Sequence, residues 1–282
     1  MAIADRDWYR KQEPRRISVS SWSVVKILVA VNVACFLVQA MAYEAGWDPA
    51  HRGLGMKPDD VIGRFHVWQL FTSMFLHAPG NPIPWHLVFN MFVLWMFGPY
   101  VEQRLGKWSF FRFYMLAGLA AGLAYVVFGF LRARFNPAIG ASGAIMGVLV
   151  YFTMMNPNAI VRFMFILPMK MKYATLLIVG MDLYFFAISP AGHGVANSAH
   201  LGGALFGFLY YRYGHRVDRY FTDLEIKSKV HAKKKRSADL DRLQAQVDEM
   251  LEKISREGID GLSPRERKFL TEAGRRLREE RP

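Results

Sequence analysis

Six apolar blocks set the terms for this 282-residue chain, at about residues 24–43, 85–100, 110–131, 142–155, 173–188 and 198–213. Blocks of roughly 16–22 apolar residues are the length that crosses the ~30 Å hydrocarbon layer of a bilayer as a helix. No water in that layer can satisfy backbone N–H and C=O groups, so the blocks must pair those groups internally, as helices do. The chain is 52% hydrophobic with a mean hydropathy of +0.10, too apolar for an ordinary soluble domain of this size. The expected class is all-α: a polytopic membrane protein with a six-transmembrane-helix bundle.

Charge then orients the bundle. The net charge is +13. In a soluble chain that balance would suggest nucleic acid, but between membrane spans it reads first as Lys- and Arg-rich cytoplasmic segments. Arg15 and Arg16 precede the first block, Arg104 and Lys107 follow the second, and Arg162, Lys170 and Lys172 lie between the fourth and fifth. These segments and the basic tail are expected in the cytoplasm. The long connection 44–84 and the short loop 189–197 then face the other side, with Arg132 and Arg134 as exceptions. The stretch 68–76 is apolar but too short to span, which suits a re-entrant or interfacial segment. Ala40-Met41-Ala42 mimics a signal-peptide cleavage site, but the run before it is long and more spans follow, which favours a retained helix. The lone cysteine, Cys35, excludes an intramolecular disulfide and a Cys-based metal site.

Three regions are expected: a basic segment 1–22, a membrane domain 23–213 and a soluble helical tail 214–282. In the tail, Leu240, Leu243, Val247, Leu251 and Ile254 recur at helical spacing, and Gly258 and Gly261 break the pattern. Ser263 and Glu266 form a capping box with Pro264 at the first helical position. Two short amphipathic helices in a hairpin are predicted. The run Lys233-Lys234-Lys235-Arg236 suits anionic lipid headgroups better than nucleic acid.

Polar side chains inside spans are expensive and tend to mark function. His86 and Asn90 open the second block on one helix face, Ser142 opens the fourth and His200 lies early in the sixth. Those three blocks run in the same direction, so all four residues fall at a similar depth near the outer face. Gly143 and Gly147 form a G-x-x-x-G, as do Gly203 and Gly207, and such pairs let membrane helices approach closely. Close approach would bring His200 to Ser142, and a serine hydroxyl needs such a base to act as a nucleophile. The unpaired N–H groups at the start of the fourth helix would suit an oxyanion. The plainer alternative is that Ser142 is a packing residue in a Gly/Ala-rich helix and the histidines are interfacial. His66, His77 and His193 make metal binding conceivable, but there is no H-E-x-x-H. Asp182, inside the fifth block, lacks the second intramembrane aspartate of a two-aspartate protease and reads as a hydrogen-bonded or protonated structural group.

Together His86-x-x-x-Asn90, Gly140-x-Ser142-Gly143 and Ala199-His200-x-x-Gly203-x-x-x-Gly207, in that order on blocks two, four and six, resemble the rhomboid family of intramembrane serine proteases. Glu102-x-Arg104 is similar to the family pattern as well, and the resemblance covers about residues 24–213. It implies Ser142 as nucleophile and His200 as general base in a dyad without a third acid. His86, Asn90 and the Ser142 N–H would form the oxyanion hole. The connection 44–84 would be the lateral loop dipping into the membrane, 189–197 a mobile cap, and the fifth block would lie near the substrate gate. Partners would be single-span membrane substrates and the bilayer, with anionic lipid on the tail; no cofactor or metal is called for. The tail is loosely similar to an extra helical domain of some bacterial members, and a bacterial inner membrane is expected, with both termini cytoplasmic by the charge pattern. Two positions depart from the family: Gln69 follows Trp68 where an arginine is common, and Met146 stands where an aromatic side chain often packs on the histidine. A catalytically inactive rhomboid-like protein that binds membrane helices is the alternative, and such relatives lose the serine or the histidine. A channel or transporter would call for inverted repeats or broken helices, which the sequence does not display.

Overall fold

The computed structural model describes residues 23–79, 84–133, 136–163, 166–188, 195–258 and 261–279. The chain divides into two compact units, Met1–His215 and Arg216–Pro282. Among the described residues the longer helices are α1 (Val24–Glu44), α4 (Trp85–Leu105), α5 (Lys107–Leu131), α6 (Ser142–Met155), α7 (Met171–Ile188) and α8 (Val195–Glu257). The short α2 (Pro58–Gly63) and α3 (Gln69–Thr72) lie in the long connection before α4, and α9 (Pro264–Glu279) closes the chain.

α6 is the axis of the first unit, for every residue from Gly143 to Thr153 is buried. Leu94 of α4, Phe113 and Ala117 of α5 and Val148 of α6 are fully buried in one cluster. The faces that carry Val38 of α1, Leu123 of α5, Leu176 of α7 and Leu205 of α8 are apolar and exposed. Such faces suit lipid and not water.

By length and hydropathy α1, α5 and α7 qualify as membrane spans among the described residues, while α6 has only 14 residues. α4 ends in charged Glu102 and Arg104, so its apolar part is shorter than the helix. α8 differs most from the sequence expectation. A sixth span and a separate short tail helix were expected, yet one 63-residue helix runs from Val195 to Glu257. No glycine or proline falls between Gly214 and Gly258, so nothing in the sequence stops it earlier. The all-α expectation also needs a small correction. The segment read as a basic loop forms an antiparallel hairpin, β1 (Ile160–Phe163) with β2 (Leu167–Lys170), pairing Ile160 with Lys170 and Arg162 with Pro168.

Polar contacts fasten the first unit. Glu102 Oε1 and Oε2 accept from the N–H groups of Val24 (2.9 Å) and Val25 (3.1 Å), capping α1 from the end of α4. A carboxylate at a helix N-terminus satisfies orphan donors and complements the dipole. Gln69, fully buried, takes the polar role in the long connection: Oε1 accepts from Lys57 N at 3.0 Å, and Nε2 donates to Asp60 Oδ2 at 3.2 Å and to Gly53 O at 3.3 Å. Arg132 donates to the Phe186 carbonyl at 3.0 Å with its guanidinium 4.5 Å from that ring. A cation on the last turn of α7 is a favoured position, which accounts for one of the two basic residues that broke the charge pattern. The other, Arg134, lies outside the described residues.

In the second unit Gly258 ends α8 at φ +77°, a left-handed conformation that favours glycine. Ser263 Oγ accepts from Glu266 N at 3.3 Å, and Glu266 Oε2 accepts from Ser263 N at 2.7 Å, closing the capping box that starts α9. Lys253 Nζ reaches Glu266 Oε1 at 3.0 Å. These bonds to Ser263 and Lys253 hold the Glu266 carboxyl down to about 2.

Candidate active site

Ser142 is the first residue of α6, and the approach to it is tightly held. Met56 and Ala138 exchange both backbone hydrogen bonds, at 2.9 and 2.8 Å. Tyr125 Oη donates to Asn136 O at 2.7 Å, and Gly140 N donates to Ser73 O at 2.8 Å. Gly140 sits at φ +124°, and a Cβ there would lie 2.7 Å from His86 Cε1. Only glycine fits both the backbone and the ring beside it. Among the described residues no side chain caps the first turn of α6, which leaves its N–H groups open to other acceptors.

His200, in the second turn of α8, reaches α6 because the two backbones nearly touch. A methyl group on Gly203 would collide with the Gly143 carbonyl oxygen, and one on Gly207 with that of Gly147. On the other flank, a Cβ on Gly147 would lie 2.9 Å from Ala117 Cβ of α5. The four glycines thus keep α6 in contact with α8 and α5. At the end of this seam His200 Nε2 lies 2.8 Å from Ser142 Oγ. The other ring nitrogen, Nδ1, lies 3.0 Å from Asp182 Oδ1, which also accepts from Asn197 Nδ2 at 2.6 Å.

A cavity of about 260 Å³ opens onto this group, lined by His86, Gly140, Ser142, Gly143, Ala144 and His200 among others. The His200 side chain is 31% exposed and that of Asp182 only 10%. The His200 ring is therefore accessible from the cavity while the carboxylate behind it is not. Asn90 does not line the cavity. It lies one turn along α4 from His86, about 6 Å by helical rise, buried and with Nδ2 unpartnered among the described residues. His77 is fully buried, its ring 5.1 Å from that of His86 and both its nitrogens unpartnered among the described residues. Burial above all, with His86 beside it, pushes the His77 imidazole down to about 4, so it is neutral at pH 7.

Met146 is buried in the core cluster and does not line the cavity, and no ring stacks on His200 among the described residues. His66 stacks on Trp68 at 4.3 Å, and among the described residues no three His, Cys, Asp or Glu side chains gather as a metal site would need. His193 lies outside them. Sequence reasoning set Asp182 aside because it looked only for a second aspartate. The usable signal was a single carboxylate in an apolar helix, which must find a polar partner at its own depth. The last two turns of α7 and the first two of α8 share that depth.

Comparison with known proteins agrees with the architecture. A rhomboid-domain family model matches residues 64–217, and a family of unknown function (DUF6576) matches 231–276. Rhomboid protein 1, mitochondrial, of Saccharomyces cerevisiae is 37% identical over 191 residues, 67% of this chain and 52% of that protein. Rhomboid protease GluP of Bacillus subtilis is 32% identical over 158 residues, 55% of this chain and 27% of that protein. The human presenilin-associated rhomboid-like protein, mitochondrial, is 35% identical over 151 residues, 52% of this chain and 39% of that protein. The chain thus spans about half or less of the length of the curated relatives it matches. These relatives come from mitochondria as well as a bacterium, so the comparisons do not support the narrower expectation of a bacterial inner membrane. The matched domain covers residues 64–217 of 282, over half the chain, and together with the apolar helices it makes this chain an integral membrane protein of the rhomboid family.

Proposed function

We propose that this chain is an intramembrane serine endopeptidase that cleaves transmembrane helices near the outer membrane face. The observation that carries the reading is the 2.8 Å contact between His200 Nε2 and Ser142 Oγ, at the mouth of a cavity in an otherwise apolar bundle. His200 takes the Ser142 proton as Oγ bonds to the scissile carbonyl carbon. The oxyanion so formed is met by the first-turn N–H groups of α6 and by His86, with Asn90 turning toward it once substrate is bound. The C–N bond then breaks, and the leaving amine takes the proton from His200. Water, deprotonated by His200, attacks the ester, releases the new carboxyl terminus and returns the proton to Ser142.

The protease domain is residues 23–213 with six spans. The segments 1–22 and 214–282 are accessory, cytoplasmic, and drawn to anionic lipid by their basic residues. α7, which carries an exposed apolar face, borders the entry path of the substrate helix. The similarity to a relative named a rhomboid protease, GluP of Bacillus subtilis, supports the reaction class.

The test is cleavage of a labelled single-span substrate by the reconstituted chain, compared with Ser142→Ala and His200→Ala. Both variants should lose turnover by about 10³-fold or more. Wild-type rates in either variant would refute the assignment, and a protease-protection assay in sealed vesicles checks the orientation.

A further inference from the structure

We propose that Asp182 is a positioning residue for the general base, holding the His200 ring from behind the Ser142–His200 dyad. This rests on the serine-protease reading above and deepens it. For Nε2 to accept the Ser142 proton, the neutral ring must carry its own proton on Nδ1. That Nδ1–H needs an acceptor, and Asp182 Oδ1 stands 3.0 Å away. A carboxylate there selects the productive tautomer, fixes the ring plane, and stabilises the imidazolium formed when the serine gives up its proton.

Three further observations point the same way. Asp182 is buried on a helix whose neighbouring side chains, Met181, Leu183 and Tyr184, are apolar or aromatic and exposed. A carboxylate at such a place is costly without partners, and among the described residues Asn197 and His200 of α8 supply them. Asn197, one turn before His200, donates to the same Oδ1 at 2.6 Å and so fixes that oxygen from the helix that carries the base. Finally, no aromatic ring stacks on His200 among the described residues, and Met146 lies in the core. The ring is held by hydrogen bonds at both nitrogens, and one of the two groups holding it is the nucleophile.

The titratable groups facing His200 are Asp182 from α7 and His86 from α4, with Tyr125 of α5 on the same cavity. The experiment compares the reconstituted wild type with Asp182→Asn and Asp182→Glu. It measures kcat and KM for a single-span substrate, the melting temperature, and the rate at which a fluorophosphonate labels Ser142. It also follows the His200 ring by NMR in the Ser142→Ala background, a readout that needs no turnover.

Asp182→Asn is expected to lower kcat by about 10²–10⁴-fold with KM within about twofold. The His200 Nδ1–H resonance, held downfield by its bond to the carboxylate, should move upfield in Asp182→Asn, and Asp182→Glu should recover part of the rate. If Asp182→Asn fails to fold, the glutamate variant and its Nδ1–H resonance carry the test. An active wild type with unchanged kcat and His200 Nδ1–H resonance in the variants overturns this inference alone. A wild type that neither cleaves nor labels overturns the protease reading with it.

Discussion

The glycine seam between α6, α5 and α8 makes a graded prediction. A methyl on Gly147 would lie 2.9 Å from Ala117 Cβ and 3.1 Å from Gly203 O. Carbon atoms settle at about 3.5–4.0 Å, so Gly147→Ala must push α5 away from α6 by at least about 0.6 Å, with a smaller push on α8. Neither obstacle can swing aside, because one is a Cβ and the other a backbone oxygen. The Ser142–His200 contact of 2.8 Å has only about 0.4 Å of slack before it leaves the normal range. Overpacking of this kind costs about 1–3 kcal/mol, and misplacement of a base by about 1 Å can cost about 10²-fold in rate. Gly147→Ala should therefore lower the melting temperature and slow substrate cleavage by about 10-fold. Gly203→Ala, whose methyl runs into the Gly143 carbonyl, should be worse on both counts. Gly180→Ala on α7 has nothing within 4 Å and should be neutral or slightly stabilising. The assay is cleavage in proteoliposomes beside thermal unfolding in detergent. Wild-type rate and stability in Gly203→Ala would refute the seam as the device that brings His200 to Ser142.

Three other perturbations separate activity from stability. Asn90→Ala should cut kcat by about 10–10³-fold without lowering the melting temperature, because it removes a buried Nδ2 donor unpartnered among the described residues; unaltered kcat would remove Asn90 from the oxyanion hole. Glu102→Ala should cost about 1–2 kcal/mol by uncapping α1, while the labelling rate of Ser142 per folded molecule stays the same. The depressed carboxyl of Glu266 contributes stability that is full above its ordinary value of 4.5 and lost as the pH falls toward about 2. Pepsin nicking around residues 258–270 should therefore rise over that interval, and Glu266→Gln should flatten the dependence.

Much of this architecture is written in local pattern. The apolar blocks gave the start of α4 and both ends of α6 to the residue, because a membrane helix must be continuous and apolar. Ser263, Pro264 and Glu266 announced the start of α9, because a capping box is a contact between residues three apart. What escaped was non-local or depended on something missing. α8 runs through Gly214 and on because the sequence holds no further glycine or proline before Gly258, and hydropathy marks where lipid ends but not where a helix ends. The hairpin of β1 and β2 is too short to separate from a loop by composition. Gln69 looked like the loss of an anchoring arginine, yet its amide makes the bonds to Asp60 and Gly53 that the loop needs. Asp182 was visible as an anomaly, but its meaning depended on how α7 and α8 meet, which no spacing along the chain encodes. Asn90 shows the reverse. Its place one turn from His86 is legible, yet burial keeps it off the cavity wall in the resting site.

The most direct test of the central claim is the site of covalent capture. The reconstituted chain is treated with a fluorophosphonate, digested and mapped by mass spectrometry. The adduct should fall on Ser142 alone among the serines of the bundle and should be lost in His200→Ala with the fold intact. An adduct on another serine, or undiminished labelling of Ser142 without His200, would contradict the account.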